Sequence, residues 1–303
     1  MLPFAASPAY QSPLELQEGV ARLSRGLYFK EASLEMTLSL LTESAARIAG
    51  IERASIWALT DGRRELRCLE LFEVSKNRHS SGGSISAENY APYFEALSRE
   101  EAIVADDPYV VPATAPFAAD YLPQHGITAM LDTPIHIRGE LQGVFCLEQV
   151  GHHQPWTMYH RMFAQSVANL ITLALVEFEV GEARQRAELA NNRMRAVFDA
   201  LSEGIVLVDE GTGLVLDCNE AAERLLGYHR VEMMGRHFSR FCPLAADDVW
   251  LAEFRRRLAE RRFPIDLSVM RGDGVEVLLA LRVELAVQAD GQRLAVACFN
   301  LVR

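Results

Sequence analysis

The stretch DTPIHIRGELQGVFCLEQV, residues 132–150, decides the fold of the first half of the chain. Apolar and polar residues alternate on both sides of Arg138-Gly139, which predicts two antiparallel strands joined by a tight turn. RASIWAL (53–59) and RELRCLELFEV (64–74) alternate in the same way around Asp61-Gly62. Two hairpins on either side of a long irregular insertion, residues 76–131, therefore predict an α+β domain with an antiparallel sheet.

Helices are predicted before and after these hairpins. Ser12-Pro13-Leu14-Glu15 combines an N-cap, a proline at the first helical position and a glutamate that can complete a capping box. A second helix is predicted from an apolar face at spacings of four and three residues, and Gly50 ends it. Its apolar positions are Leu34, Leu38, Leu41, Ala45 and Ile48.

Composition narrows the classes of function. The chain has 303 residues, of which 50% are hydrophobic, so it can build more than one core. A net charge of −11 opposes nucleic-acid binding and binding to an anionic membrane surface. No uninterrupted run of about 18 apolar residues occurs, and we expect a cytoplasmic protein. The five cysteines are widely spaced, so no structural disulfide is expected. His152-His153 and His160 lack a further ligand nearby, so no metal site is expected either.

The residues after the second hairpin carry a family resemblance. ITAMLDTPIHIRGELQGVFCLEQVGHHQPWTMYHRMFAQSVANLITLAL (127–175) resembles the C-terminal half of a GAF domain, with its X-X-G-X-L-X-G-V hairpin, Trp-Thr and long helix. HSSGGSI, YAPYFEAL and DYLPQHGITAMLD are similar to the GAF domains found in front of bacterial signalling enzymes. The resemblance covers 25–175, after an N-terminal segment and helix (1–24). It implies a six-stranded antiparallel sheet with helices on one face and a small-molecule pocket on the other.

The insertion supplies the candidate pocket residues, which are aromatic or acidic and could line a polar-rimmed cavity. They are His79, Tyr90, Tyr93, Phe94, Asp106, Asp107, Tyr121 and Asp132. The alternative is that Tyr90, Phe94 and Tyr121 pack the insertion down and the aspartates cap turns. The Asn-Lys-Phe-Asp-Glu set of cyclic-nucleotide-binding GAF domains is absent, and GHHQPW lacks the cysteine of tetrapyrrole-binding ones. We therefore expect no cofactor and a ligand of unknown identity.

A heptad pattern follows in the long helix that begins after Thr157. Apolar residues alternate at spacings of three and four over four heptads, which predicts a parallel homodimeric coiled coil in the linker 176–201. The seam consists of Leu173, Val176, Val180, Ala183, Ala187, Ala190, Met194, Val197 and Leu201. Glu179 and Arg184 fall at g and e positions that attract in parallel register. The alternative is one amphipathic helix packed on its own domain.

The last third of the chain, 196–303, is similar to a PAS domain. MRAVFDALSEGIVLVDEGTGLVLDCNEAAERLLGYHRVEMMGRHFSRFCP resembles its first half, and LSVMRGDGVEVLLALRVEL and QRLAVACFNL resemble its last three strands. The resemblance implies a five-stranded antiparallel sheet around a central pocket, with the last strand in the middle. In PAS domains that strand normally leads into an output domain, so we expect an effector that is C-terminal in a parent protein or separate.

An apolar cavity in this second domain would be lined by Met233, Phe238, Phe241, Trp250 and Phe254. The alternative is that these residues form the core. Phe238 stands where flavin photosensors carry their reactive cysteine, and the long helix offers Trp250 and Phe254 where haem-binding PAS domains place a histidine. The resemblance therefore implies neither flavin-adduct chemistry nor haem.

No common catalytic motif occurs in the chain. We expect a non-catalytic sensory module that acts through a dimeric helix on an effector of cyclic-di-GMP turnover, or else the sensor region of a histidine kinase. An alternative of another class is a GAF-type reductase of free methionine sulfoxide, in which Cys68 and Cys146 would lie on adjacent strands. A dimerisation scaffold with collapsed pockets is a further alternative.

Overall fold

A computed structural model describes residues 12–25, 32–99, 102–151, 155–241, 247–260, 264–287 and 291–302, with side chains except at 247–251 and 258. His152, His153 and Cys242 lie outside these residues, as does the side chain of Trp250. The chain divides into two compact units between Arg184 and Gln185. This division falls inside the linker predicted from the heptads.

Helices of the first unit begin and end where the caps predict. Ser12 and Glu15 form a reciprocal capping box, and Gly50 ends the second helix in the left-handed conformation at φ 64°. The helices are α1 (Pro13–Ser24), α2 (Leu34–Ala49), α3 (Ala91–Arg99), α4 (Tyr121–His125) and α5 (Met158–Ala200), which continues into the second unit. The strands are β1 (Arg53–Thr60), β2 (Glu65–Glu73), β3 (Arg78–Ser80), β4 (Ser84–Ser86), β5 (Ile103–Ala105), β6 (Ile127–Ile137) and β7 (Glu140–Val150).

These strands form one antiparallel sheet in the order β3-β2-β1-β7-β6-β5, with β4 also paired to β2. The sheet therefore has seven strands, and the expected number of six is wrong by one. Both short strands of the insertion pair with the same edge of β2. Strand β3 pairs with Leu71–Glu73, and β4 pairs with Glu65–Arg67. The insertion is also more regular than predicted, since it contains α3, β5 and α4, and β6 begins at Ile127.

The sheet has an apolar core on each face. On one face α1, α2 and α5 pack against residues such as Ile56 and Leu147, and on the other the insertion packs against Trp57 and Val144. The deciding hairpin turns through Arg138 and Gly139, both at positive φ (54° and 80°). Gly143 is required further along β7, because a Cβ there would overlap the carbonyl of Trp57 on β1.

Helix α5 is unbroken over 43 residues. Its first half contributes Phe163, Val167 and Ile171 to the core beneath the sheet. One stretch of α5 is long and apolar enough to cross a membrane by length and composition alone, and a third of it (33%) is buried inside the fold. Core helices of soluble proteins have the same composition.

The second unit is a five-stranded antiparallel sheet in the order β10-β11-β12-β8-β9. Its strands are β8 (Gly204–Asp209), β9 (Val215–Cys218), β10 (Ile265–Met270), β11 (Glu276–Val287) and β12 (Arg293–Leu301). Its helices after α5 are α6 (Glu220–Leu226), α7 (Arg230–Met233) and α8 (Asp247–Ala259). Asn219 caps α6 and Gly227 ends it in the left-handed conformation. The final strand β12 lies mid-sheet, as the resemblance implies.

Candidate functional site

A cavity of about 380 Å³ lies on the face of the first sheet opposite α5. Its floor is formed by sheet residues, among them Arg53, Trp57 and Cys68. The loop 80–85 forms one wall, and Tyr90 together with α4 and its N-cap Asp120 forms the other. The cavity has the size, the mixed lining and the position of a small-molecule site.

Arg53 anchors a buried ionic cluster in this floor. It stands directly opposite Glu73 on β2 and Glu148 on β7, and its guanidinium pairs with both carboxylates at 3.0 and 2.7 Å. The Tyr121 hydroxyl donates to Glu148 at 3.0 Å and so ties α4 to the cluster. Because Arg53, Glu73 and Glu148 are at most 5% exposed, the cluster fixes the positions of three strands and of the cavity wall.

The protonation states of the cluster follow from its contacts. Burial disfavours the charged form of Arg53, but the Glu148 carboxylate outweighs this and the pKa is raised. Burial also acts to raise the pKa of Glu73, but hydrogen bonds from Lys76 and Arg78 and the charge of Arg53 bring it to about 2. Burial raises the pKa of Tyr121, with Glu148 adding to the effect. The tyrosine therefore remains a neutral hydrogen-bond donor to Glu148.

A second buried polar group lies deeper beneath the insertion. Asp132 on β6 is completely buried, and its Oδ2 accepts a hydrogen bond from the Tyr93 hydroxyl at 2.9 Å. Its other oxygen has no hydrogen-bond partner among the residues that the structure describes. Burial, reinforced by the charge of Glu148, raises the pKa of Asp132 to about 7. A carboxyl in this state is held protonated by its surroundings below neutral pH.

The structure brings two of the eight predicted pocket residues, Tyr90 and Tyr121, to the cavity wall. Tyr93 and Phe94 pack in the core of that face, which the alternative anticipated for Phe94 only. His79 lies elsewhere, because its ring contacts Phe72 and its Nδ1 lies 2.6 Å from Glu70.

The predicted aspartates also take structural positions. Asp107 accepts the backbone N–H of Tyr109 at 3.0 Å, as expected of a turn cap, whereas Asp106 accepts the backbone N–H of the distant Trp156 at 2.7 Å. Asp132 is buried beneath the insertion. This cavity is therefore not lined by the other six predicted residues, which are His79, Tyr93, Phe94, Asp106, Asp107 and Asp132.

Comparison with known families decides what the two units are. Residues 33–175 match the profile of the GAF domain family, and residues 192–259 match that of the PAS domain. The chain is a GAF domain followed by a PAS domain. Both are sensory, non-catalytic domains of signalling proteins.

Individual relatives are distant. The GAF domain of a phosphoenolpyruvate-protein phosphotransferase from Coxiella burnetii is 16% identical, covers 57% of this chain and 99% of its own, and has a TM-score of 0.47. The PAS domain of an HTR-like protein from Haloarcula marismortui is 17% identical, covers 40% of this chain and 99% of its own, and has a TM-score of 0.34. An uncharacterized protein of Azorhizobium caulinodans is 26% identical over 184 residues, 57% of this chain. The chain spans about a quarter of the length of this relative (24%).

Four of the five residues predicted to line a PAS cavity belong to the PAS core, and the side chain of the fifth, Trp250, lies outside the described residues. Met233, Phe238 and Phe241 are at most 4% exposed and pack in one cluster with Phe254. Phe254 also borders a cavity of about 220 Å³ between α8 and β10. Met233, Phe238 and Phe241 are therefore core residues, as the alternative to a cavity predicts.

The predicted seam lies on the exposed surface of α5. Val180, Met194 and Val197 are 53%, 71% and 62% exposed, and the three alanines between them are also exposed. Val176 is half-buried where the helix leaves the GAF core. Among the described residues of α5, the first half packs into the GAF core. The alternative of one amphipathic helix packed on its own domain therefore describes that half and not the exposed seam.

The geometry disagrees with the reductase alternative. Cys68 lies on β2 and Cys146 on β7, and β1 runs between them, so the prediction of adjacent strands is wrong. Two strand spacings are about 10 Å, which is too far for a disulfide without backbone movement. Burial raises the pKa of Cys68 to about 12 and also raises that of Cys146. Neither thiol is an activated nucleophile.

The cluster around Arg53 was missed from the sequence. Part of the signal was present, because Arg53 is the one charged residue of β1, whereas β2 and β7 each carry further charges. A charge in one strand is ambiguous, and only the register reveals that Arg53, Glu73 and Glu148 meet. Among the described residues no group of three potential metal ligands comes together. His160 instead accepts the Thr157 N–H at the start of α5.

Proposed function

We propose that this chain is a dimeric sensory relay in which a small molecule in the GAF cavity changes the pairing of α5 and thereby the activity of an effector. The observation that carries the proposal is a continuous helix with its first half in the GAF core and an exposed heptad seam in its second half. Such a helix can transmit a change from one domain to the next as a rotation or a change in pairing.

The composition of the seam suits this role. Three successive core positions are alanines, and each forgoes about 2 kcal/mol of apolar burial relative to leucine, at ~0.8 kcal/mol per methylene. A weakly held pair of helices can exchange between two arrangements that differ by only ~1–3 kcal/mol. A ligand that favours one arrangement by that amount would change output severalfold.

The PAS end of α5 is held firmly enough to pass such a change on. Arg195 on α5 donates to both oxygens of Asp217 at 2.9 and 3.0 Å and to the carbonyl of Cys218. The amide of Asn219 donates to the carbonyls of Phe198 and Glu203, while its oxygen accepts from β8 and α6. A displacement of the last turns of α5 must therefore displace the β9–α6 corner or break these bonds.

Cysteine cross-linking tests the pairing of α5. Ala183→Cys and Ala190→Cys are each made in a Cys242→Ser background, where the remaining four cysteines are buried. Both variants are expected to form disulfide-linked dimers, because d positions face their own counterparts in a parallel coiled coil. Gln185→Cys, at the outward f position, is the matched control and should remain monomeric under the same oxidant. A monomeric protein, or cross-linking at Gln185→Cys alone, would reject the relay.

Cyclic-di-GMP turnover is the output favoured by the similarity of the insertion to GAF domains in front of bacterial signalling enzymes. Two assays of the full-length gene product separate this from a kinase output. Synthesis or hydrolysis of cyclic-di-GMP would support the first, whereas autophosphorylation from ATP would support a histidine kinase. The absence of both would leave a separate effector protein, to be identified by co-purification.

A further inference from the structure

Among the residues that the structure describes, one carboxylate at the GAF cavity, that of Asp120, has no ion-pair partner. The contacts of Asp120 within the described chain are hydrogen bonds from the Tyr90 hydroxyl (2.9 Å) and the Tyr121 backbone N–H (2.6 Å), and none is an ion pair. A carboxylate has about four acceptor positions, so at least one stays available. Arg53, by contrast, is held between Glu73 and Glu148 and offers no free charge to an anion.

Aromatic rings stand beside this carboxylate in fixed positions. Tyr90 stacks on Phe117 with ring centroids 4.3 Å apart, and Tyr121 tilts against the same ring at 5.5 Å. Both tyrosines line the cavity, with Trp57 in the floor. Aromatic faces attract cations, and the attraction increases as water is displaced. Burial lowers the pKa of His125, the remaining basic group of this wall, so it adds no positive charge at neutral pH.

We infer that the GAF cavity binds a small organic cation, with an ammonium or guanidinium group at Asp120 and an apolar or aromatic body against Trp57 and Tyr90. The volume of about 380 Å³ accommodates a single-ring molecule of this kind. Ser80, Ser84 and Gln124 on the rim can bond polar substituents of the body. The inference rests on the proposed function, since it names the ligand class of the same cavity.

Three probes that share one body and differ in charge test the inference by isothermal titration calorimetry. They are tyramine, which is cationic, 4-ethylphenol, which is neutral, and 3-(4-hydroxyphenyl)propanoate, which is anionic. Tyramine is expected to bind at least about tenfold more tightly than the other two, the difference that one charge-assisted hydrogen bond makes. Equal or tighter binding of the neutral or anionic probe, or no binding of all three at millimolar concentration, would overturn the inference.

Asp120→Asn removes the charge but keeps an acceptor for both hydrogen bonds and a good N-cap for α4. It should weaken tyramine binding about tenfold while leaving the unfolding temperature unchanged. Asp107→Asn, which alters a turn cap outside the cavity lining, is the matched control and should bind tyramine as the parent does. Unchanged affinity in Asp120→Asn would also overturn the ligand class. If the protein is monomeric but still prefers tyramine, the dimeric relay is rejected and the ligand class stands.

Discussion

The Asp132→Asn substitution should remove a pH dependence from the stability of the GAF domain. Asp132 has a pKa of about 7 in the fold, against an ordinary pKa of 3.8. Between these values the folded state holds a proton that the unfolded state has lost, so stability decreases as pH rises. Each unit corresponds to about 1.4 kcal/mol, and the full span of 3.2 units (7 minus 3.8) to about 4 kcal/mol. Asparagine has the same shape and does not titrate.

Urea unfolding, followed by the fluorescence of Trp57 and Trp156, measures this dependence. Relative to Asp132→Asn, the parent should lose about 3 kcal/mol of unfolding free energy between about pH 5 and pH 8. The lowered pKa values of His125 and His160 act in the opposite direction, but they occur in both proteins and cancel in the difference.

Asp107→Asn serves as the control, because its carboxylate is exposed and accepts a turn N–H. Its unfolding curve should run parallel to that of the parent at every pH. The reasoning is refuted if the difference between the parent and Asp132→Asn does not change with pH, or if the variant loses stability relative to the parent as pH rises. Either result would mean that the buried carboxyl is ionised in the fold at low pH, with Tyr93 as a sufficient donor.

Three further substitutions test the packing described above by thermal and urea unfolding. Arg53→Met should cost about 3–5 kcal/mol, because it leaves Glu148 buried without its cation, and a cost below about 1 kcal/mol would contradict the cluster. Gly143→Ala should cost about 1–3 kcal/mol, since its methyl group would displace the β1 backbone, whereas Gly181→Ala on the open surface of α5 should be neutral or stabilising. Asn219→Ala should cost about 3 kcal/mol through lost caps at two helices, and an unchanged PAS melting temperature would refute that role.

Local patterns predicted most of the fold because the deciding interactions are short in sequence. The capping box at Ser12, the ends at Gly50 and Gly227 and the hairpin around Gly139 each depend on neighbouring residues. The cavity depends on register between distant strands, which alternation alone does not fix. The aromatic and acidic composition of the insertion therefore identified Tyr90, which lines the cavity. It identified Asp106 equally, although Asp106 accepts a backbone N–H just before α5 and lies outside the cavity.

The central place of β12 has a consequence for the order in which the PAS domain can be made. This strand pairs with β11 on one side and β8 on the other. Until residues 293–301 have left the ribosome, β8–β9 and β10–β11 are two separate hairpins, each with an open edge. The domain must therefore close after its synthesis is almost finished, and a stop codon before Arg293 would leave two unjoined halves exposed to aggregation.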